Sequence, residues 1–390
     1  MSYALEGIKV LDLASNTAAP GVSMYLGDLG ADVIKVEPRW GDAARGTGTT
    51  AFLKTNSRRF MTLNRNKRGI TVDIRKPEGS EIIHKMAADA DVIVVNFRAD
   101  AAARMGIDYD TLNRINPRLI YASVSAYGNK GPHANRGAYD RVLQGLAGVM
   151  YRHMPDGTPL TAGLYAADTS TPMLLAYGVM AALWAREKTG VGQKVEASLL
   201  HTWLALQLTE LTRADHDPAP GTERADSGFG IYQCGDGRWI NIAPNNDRQF
   251  ARACKTVGME YVLEDPRFED PAQRPQLRKE LHPKIAELLK TGSSEDWLER
   301  FCEADIPCGP IRTREEVLVE PQVLENEMLM EVQHPEAGRT RMVSMPLRFS
   351  ATQTVTPRAA PLLGEHTDEV LGQLGYTAEQ IANLKAQEVV

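Results

Sequence analysis

Asp168 stands immediately before Thr169-Ser170-Thr171-Pro172-Met173 and a long apolar run. A carboxylate at such a point reads as the N-cap of a helix. Free backbone N–H groups and the positive end of the helix dipole would keep it ionised there. An ionised, semi-buried carboxylate is also what nucleophilic attack on a thioester requires. Position alone leaves both readings open: a plain cap, or a nucleophile seated at a helix end.

Cationic side chains gather near predicted strand ends. Asn64-Arg65-Asn66-Lys67-Arg68 is the densest run, with Arg75 and Lys76 just beyond it. Arg39 follows one strand, and Arg98 and Arg104 follow the strand that ends in Val95-Asn96-Phe97. Open α/β sheets bind ligands beyond the carboxyl ends of their strands. A compound with two or three phosphates would suit these cations; a solvated charged face is the plainer alternative. No GxGxxG follows the first strand and no GxxxxGK[ST] occurs, so dinucleotide and P-loop readings are weak.

The remaining candidates carry less. Ser227-Gly228-Phe229-Gly230 reads either as an active-site lid or as a turn into a strand. His133 and His201 have no Ser or Cys partner in a known motif and read as ordinary polar histidines. Cys234, Cys254, Cys302 and Cys308 form no CxxC pair and no zinc spacing, so no metal site is expected. Free thiols fit a reducing cytosol, and a cytoplasmic location is expected.

The elements that must position these residues alternate in type. IKVLDLA (8–14), ADVIKVE (31–37), ITVDIR (70–75), DVIVVNF (91–97) and LIYASVSAY (119–127) read as strands. Helical patterns lie at 20–30, opening on Pro and closing on Gly, and at 77–90, opening on Pro and Glu. This rhythm predicts an α/β fold with a mostly parallel sheet and helices on both faces. Further helices are predicted at 140–151 and 168–187, the second apolar almost all round and so expected to be buried. Residues 194–211 read as a strand running into another buried helix. A polar stretch at 213–227 reads as a linker. A hairpin over 230–244, turning at Gly235-Asp236-Gly237, opens a smaller unit at 228–325. Helices at 245–257, 276–290 and 294–303 follow. The segment 326–390 returns and ends in two short helices.

With 390 residues, 43% hydrophobic and 24% charged, the chain has the make-up of an ordinary globular protein. Its net charge of −6 argues against a general nucleic-acid or membrane-surface partner. No apolar stretch approaches the roughly 18 residues of a membrane span, and the N-terminus lacks the pattern of a signal peptide.

Taken together, several blocks identify a family. They are LDLASNTAAPGVSMYLGDLGADVIKVE (11–37), LNRNKRGITVDIRKPEG (63–79), DVIVVNFRADAAARMGIDYDTLNRINPRLIYASVSAYG (91–128), YDRVLQGLAGVM (139–150), GVGQKVEASLL (190–200), GIYQCGDGRWINIAPNNDRQFARAC (230–254), IPCGPIRTREEV (306–317) and LGEHTDEVL (363–371). In this order they resemble the class III CoA-transferases, a family that also holds the α-methylacyl-CoA racemases. The resemblance implies a large Rossmann-like domain made of residues 1–212 and 326–390. A smaller α/β domain lies between them, and two chains form a homodimer of interlocked rings. It implies an acyl-CoA and a small free carboxylic acid as substrates, with no tightly bound cofactor. Asp168 occupies the position of the family's nucleophile. Coenzyme A binding is implied at Arg39, Val72, Arg75, Asn96, Phe97, Arg98 and Arg104.

Departures from the family pattern matter as well. Some members carry a basic residue two positions before Tyr139. Gly137 stands there, and Arg136 and Lys130 are the candidates to replace it. Asn16 stands where many members have a small apolar residue beside the cofactor's pantetheine arm. His201 replaces a frequent acidic residue. Tyr139 stands where racemases have the histidine needed to move an α-proton, which argues against racemisation. Tyr139, Tyr165, Met150 and His153 are candidates to shape the acyl site. The chain is expected to be a CoA-transferase; the alternatives are an acyl-CoA racemase and a non-catalytic acyl-CoA binding protein.

Overall fold

The computed structural model describes residues 3–46, 56–152, 158–216, 229–268, 270 and 273–390. They form two compact units, one of residues 1–212 and 326–390, the other of 213–325.

The larger unit is built on strands β1 (Lys9–Asp12), β2 (Asp32–Glu37), β3 (Lys67–Thr71), β4 (Val92–Val95), β5 (Ile120–Ser125) and β6 (Lys194–Ser198). They pair in the order β3-β2-β1-β4-β5-β6, every pair parallel. Between and after them run α1 (Ala18–Asp28), α2 (Ala43–Gly46), α3 (Arg58–Leu63), α4 (Pro77–Asp89), α5 (Ala99–Arg104), α6 (Tyr109–Ile115), α7 (Asp140–Leu146), α8 (Ala166–Thr189), α9 (Leu199–Ala205) and α10 (Leu208–Leu211). A parallel sheet covered on both faces needs strands that are apolar at every position. β4 reads Val-Ile-Val-Val, and all four residues are buried. Val92 and Val94 enter a core with α1, α7, α8 and α9, while Ile93 and Val95 enter the opposite core with α4 and α6.

This strand order reverses direction between β1 and β4, and a crevice opens beyond their carboxyl ends. The site sits there.

Three expectations need correction. The strand expected at 70–75 lies three to four residues earlier, because the chain turns at Asp73, whose N–H donates to Val389 O across 2.7 Å. The basic run 64–68 is therefore not a phosphate-facing surface. Asn64, Arg65, Asn66 and Lys67 are buried. Arg65 pairs with Asp28 and Lys67 with Asp12, each across 2.7 Å, and Arg68 pairs with Asp32 and Glu369. Third, α8 is not buried all round. One face packs on α1, but Met173, Leu174, Tyr177 and Trp184 on the other are exposed, Trp184 to 66%.

The smaller unit pairs β7 (Ile231–Gln233), β8 (Trp239–Ile242) and β9 (Cys308–Pro310) into an antiparallel sheet. Its first hairpin turns at Gly237, whose φ of +78° is a glycine conformation. Helices α11 (Asp247–Thr256), α12 (Arg274–Leu289), α13 (Ser294–Glu303), α14 (Arg314–Val317) and α15 (Pro321–Glu325) complete it. Gly228 lies outside the described residues. Phe229 is buried in this unit's core, and Gly230 O accepts the N–H of Ile242, so these two residues enter the sheet as an ordinary strand start.

The chain then forms a second antiparallel hairpin, β10 (Leu329–His334) and β11 (Gly338–Val343), which sequence patterning missed. α16 (Thr367–Gln373) and α17 (Ala378–Ala386) close the larger unit. At the start of α16, His366 N–H donates to Gly69 O and Thr367 Oγ1 accepts from Thr71 N–H. The free edge of β3 is thereby occupied. No described helix is long and apolar enough to cross a membrane.

Candidate functional site

The turn from β1 into α1 is held from three sides. Asp12 Oδ1 accepts the N–H of Ala14 across 2.9 Å. Asp42 Oδ1 accepts the N–H of Asn16 across 3.1 Å, and Asn16 has a left-handed φ of +69°. Asn tolerates that region better than most residues. Asn96, just past β4, accepts from Ser15 N–H (3.0 Å) and donates to Ser15 O (2.8 Å). Asn96 thus stitches the ends of β1 and β4 together at the reversal of strand order.

Asp168 is not the N-cap of α8. The helix starts at Ala166, with Tyr165 as its cap residue, so Asp168 is the third residue of the first turn. Tyr165 caps nothing with its side chain. The buried Asp140 does so from α7, where its Oδ2 accepts the backbone N–H of Asp168 across 3.0 Å. Asp140 Oδ1 accepts from Gln144 Nε2 at 2.6 Å. The helix dipole favours an ionised Asp168 by about 0.3–1 kcal/mol. Burial, reinforced by the charge of Asp140, outweighs it and pushes the Asp168 carboxyl up to about 6, with Arg59 pulling the other way.

Asp168 lines a cavity of about 670 Å³. Of the residues singled out from sequence, Asn16, Asn96, Phe97, Arg98, Arg136, Tyr139 and Tyr165 line it too. A second cleft of about 280 Å³ takes in Trp40, Val72, Asp73, Arg75 and Phe97. Phe97 belongs to both, so the two spaces share a wall. Arg75 pairs with Asp73 across 2.8 Å and lies over the Trp40 ring, 4.6 Å from its centroid.

The other candidates fall outside these linings. Arg39 pairs with Glu388 across 3.1 Å, and Arg104 pairs with Asp100 on the exposed face of α5. Lys130 is exposed and lines neither space. His201 is exposed on α9, and His133 packs beside Tyr127 and Arg136. Met150 packs against Gly145, and His153 lies outside the described residues.

Gly137 explains itself structurally. A Cβ at this position would lie 3.0 Å from Nη2 of Arg98. The Arg98 guanidinium therefore fills the space that a side chain at 137 would need. Arg136, the neighbour offered as a replacement cation, also lines the cavity and sits 3.2 Å from His133 Nδ1.

Sequence reasoning missed Arg59, Arg141 and Trp40, and it treated Asp140 only as the neighbour of Tyr139. For Arg59 the available signal was Ser57, a helix-capping residue that here accepts the N–H of Phe60 across 3.1 Å. It announced a short helix that begins on two arginines.

The profile of CoA-transferase family III matches residues 5–367. The succinyl-CoA:glutarate CoA-transferase of Homo sapiens is 35% identical over 395 residues, 99% of this chain and 90% of the relative. A formyl-CoA:oxalate CoA-transferase of Streptomyces coelicolor is 34% identical, with 99% of each chain covered. Among solved structures, a CAIB/BAIF family protein from Brucella suis matches with a TM-score of 0.83 and 32% identity, covering 96% of this chain and all of that one. Matches of this length and level show that the chain belongs to CoA-transferase family III.

Proposed function

We propose that this CoA-transferase moves coenzyme A from an acyl-CoA to a small free carboxylic acid, with Asp168 as the covalent carrier. The observation that supports this most is the placing of Asp168. It is a half-buried carboxylate facing a cavity large enough for an acyl thioester, held at its backbone by Asp140.

The Asp168 carboxylate attacks the thioester carbonyl of the donor. The C–S bond breaks, and the coenzyme leaves as its thiolate, leaving a mixed anhydride. The thiolate then attacks the Asp168 carbonyl, which releases the donor acid and leaves an aspartyl-CoA thioester. The acceptor carboxylate attacks that thioester and expels the thiolate again. The thiolate finally attacks the acceptor carbonyl, giving the new acyl-CoA and a free Asp168. Each bond formed lies close in energy to the one broken, and overall one thioester replaces another, so no energy source is needed. Water must be kept from the anhydride.

In this reading the second cleft takes the nucleotide end of the coenzyme, against Trp40, Val72 and Arg75. The pantetheine arm passes Phe97 and Asn16 on its way to Asp168. Arg98 and Arg136 lie along the cavity; Arg39 and Arg104 would reach phosphates by leaving Glu388 and Asp100, and Lys130 from its exposed position. The protein acts as a homodimer of interlocked rings, and the exposed apolar face of α8 suits burial against a second chain. Its four free thiols suit a reducing, cytoplasmic setting.

The test is hydroxylamine trapping during turnover, followed by mass spectrometry of the peptide containing Asp168. A hydroxamate at Asp168 supports the reading, and full transferase activity in Asp168→Ala overturns it.

A further inference from the structure

Four arginines surround the cavity: Arg59, Arg98, Arg136 and Arg141. Only the charge of Arg59 reaches Asp168 strongly enough to lower its proton affinity. Arg59 is exposed to the cavity, and no described carboxylate pairs with it.

Its position is fixed by packing one helical turn away. Leu63 of α3 and Pro172 of α8 both flank Gly21 of α1, where a Cβ would meet Pro172 at 2.8 Å and Leu63 at 3.7 Å. Arg59 precedes Leu63 by four residues, and Asp168 precedes Pro172 by four. Residues four apart lie on one face of a helix. α3 and α8 thus both pack on α1 at Gly21, and Arg59 and Asp168, each one turn before that contact, line the same cavity.

α3 itself is firmly seated. Phe60 is buried beneath the Arg45 guanidinium, 3.7 Å from the ring centroid, and Arg45 is held by Glu37 across 2.7 Å. A planar guanidinium carried on so fixed a turn is suited to grip a carboxylate through two N–H groups. The reacting carboxylate must sit against Asp168, so a grip at Arg59 falls on a second carboxylate of the same substrate.

We propose that Arg59 binds the distal carboxylate of a short dicarboxylic acid, and of its mono-CoA thioester, while the other end reacts at Asp168. This rests on the CoA-transfer reading above. It makes Arg59 the residue that separates dicarboxylates from monocarboxylates. Arg98, Arg136 and Arg141 are left to the coenzyme and the rim.

The experiment compares succinate and glutarate with butyrate and valerate as acceptors, matched in chain length, from one acyl-CoA donor. The wild-type enzyme is expected to favour the dicarboxylates in kcat/KM. Arg59→Gln should lower kcat/KM for them by about 30-fold, the worth of a charge-assisted hydrogen-bonded pair, and bring the two classes close to parity. Arg59→Lys should restore part of the preference. Arg58→Gln, on the neighbouring exposed residue that does not line the cavity, should leave the preference unchanged. A wild-type enzyme that does not favour dicarboxylates overturns the proposal. So does an Arg59→Gln enzyme that loses activity equally toward both classes. Transfer to monocarboxylates alone would sink the role of Arg59 while leaving CoA transfer standing; no transfer to any acid would sink the parent reading instead.

Discussion

Asp140 and Asp168 share one hydrogen bond and two negative charges. Asp140 Oδ2 takes the backbone N–H of Asp168 across 3.0 Å, so the residue that fixes the helix end also raises the proton affinity of the carboxylate it positions. Geometry and electrostatics pull in different directions here. The hydrogen bond orders the first turn of α8, while the like charge makes ionisation of Asp168 harder.

The pH profile should show this. On the proposed mechanism Asp168 attacks as its carboxylate, and its carboxyl is pushed up to about 6. kcat/KM should therefore fall about tenfold per pH unit below about 6. In Asp140→Asn the like charge is gone and burial remains, so the acid limb should move down, without reaching the ordinary carboxylate value. An acid limb unmoved by this substitution would refute the coupling.

Stability should respond in the matching sense. The folded state holds the Asp168 proton more tightly than the unfolded chain, so stability is lost as pH rises from about 4 through about 6. At pH 7.5 the ionised carboxylate weakens the fold, and Asp168→Asn should stabilise it by about 1–2 kcal/mol. The gain should vanish below about pH 4. Thermal melts of both proteins across that range give the answer.

Arg98 leans into the space left open by Gly137. Gly137→Ala should displace the guanidinium and raise KM for acyl-CoA by about 3–10-fold, equivalent to about 1 kcal/mol, with kcat little changed. Steady-state kinetics at varied acyl-CoA check this.

Asp12 and Lys67 form a buried pair beneath the β1–α1 turn, with Ser23 Oγ also donating to Asp12 Oδ2 across 2.6 Å. Removing one partner leaves an uncompensated buried charge. Asp12→Ala should cost about 3–5 kcal/mol in urea unfolding. A cost under about 1 kcal/mol would mean that the pair is not buried as described.

Tyr139 faces the cavity and is 73% exposed, where a racemase would need histidine. Incubation with a 2-methylacyl-CoA in D₂O, without an acceptor acid, should leave the α-carbon unlabelled. Deuterium there would favour the racemase reading.

Much of the scaffold was legible in the sequence. Val92–Val95 is apolar at every position, and Ile120–Ala122 is buried throughout, because both faces of the sheet are covered, and that pattern survives in one dimension. Residues 64–68 were not legible. Five polar residues in a row resemble a solvated face, and nothing local shows that Asp12, Asp28 and Asp32, more than thirty residues upstream, neutralise its cations. The same holds for the site. Asp168 was placed near a helix start by Pro172 and the apolar run after it. Its partner Asp140 lies on another helix 28 residues earlier, and Arg59 comes from α3, which like α8 packs on α1 at Gly21. Such contacts depend on how helices cross, which periodicity does not encode.

The pairing of Arg98 with Gly137 changes how relatives should be compared. Counted column by column, a chain with glycine at 137 has lost a positive charge. Counted by volume, the room left by the missing side chain is taken by the Arg98 guanidinium, which reaches in from the leading edge of α5. A lysine placed at position 137 would thus contend with Arg98 for one volume, and a chain that carries both cations must seat the guanidinium elsewhere.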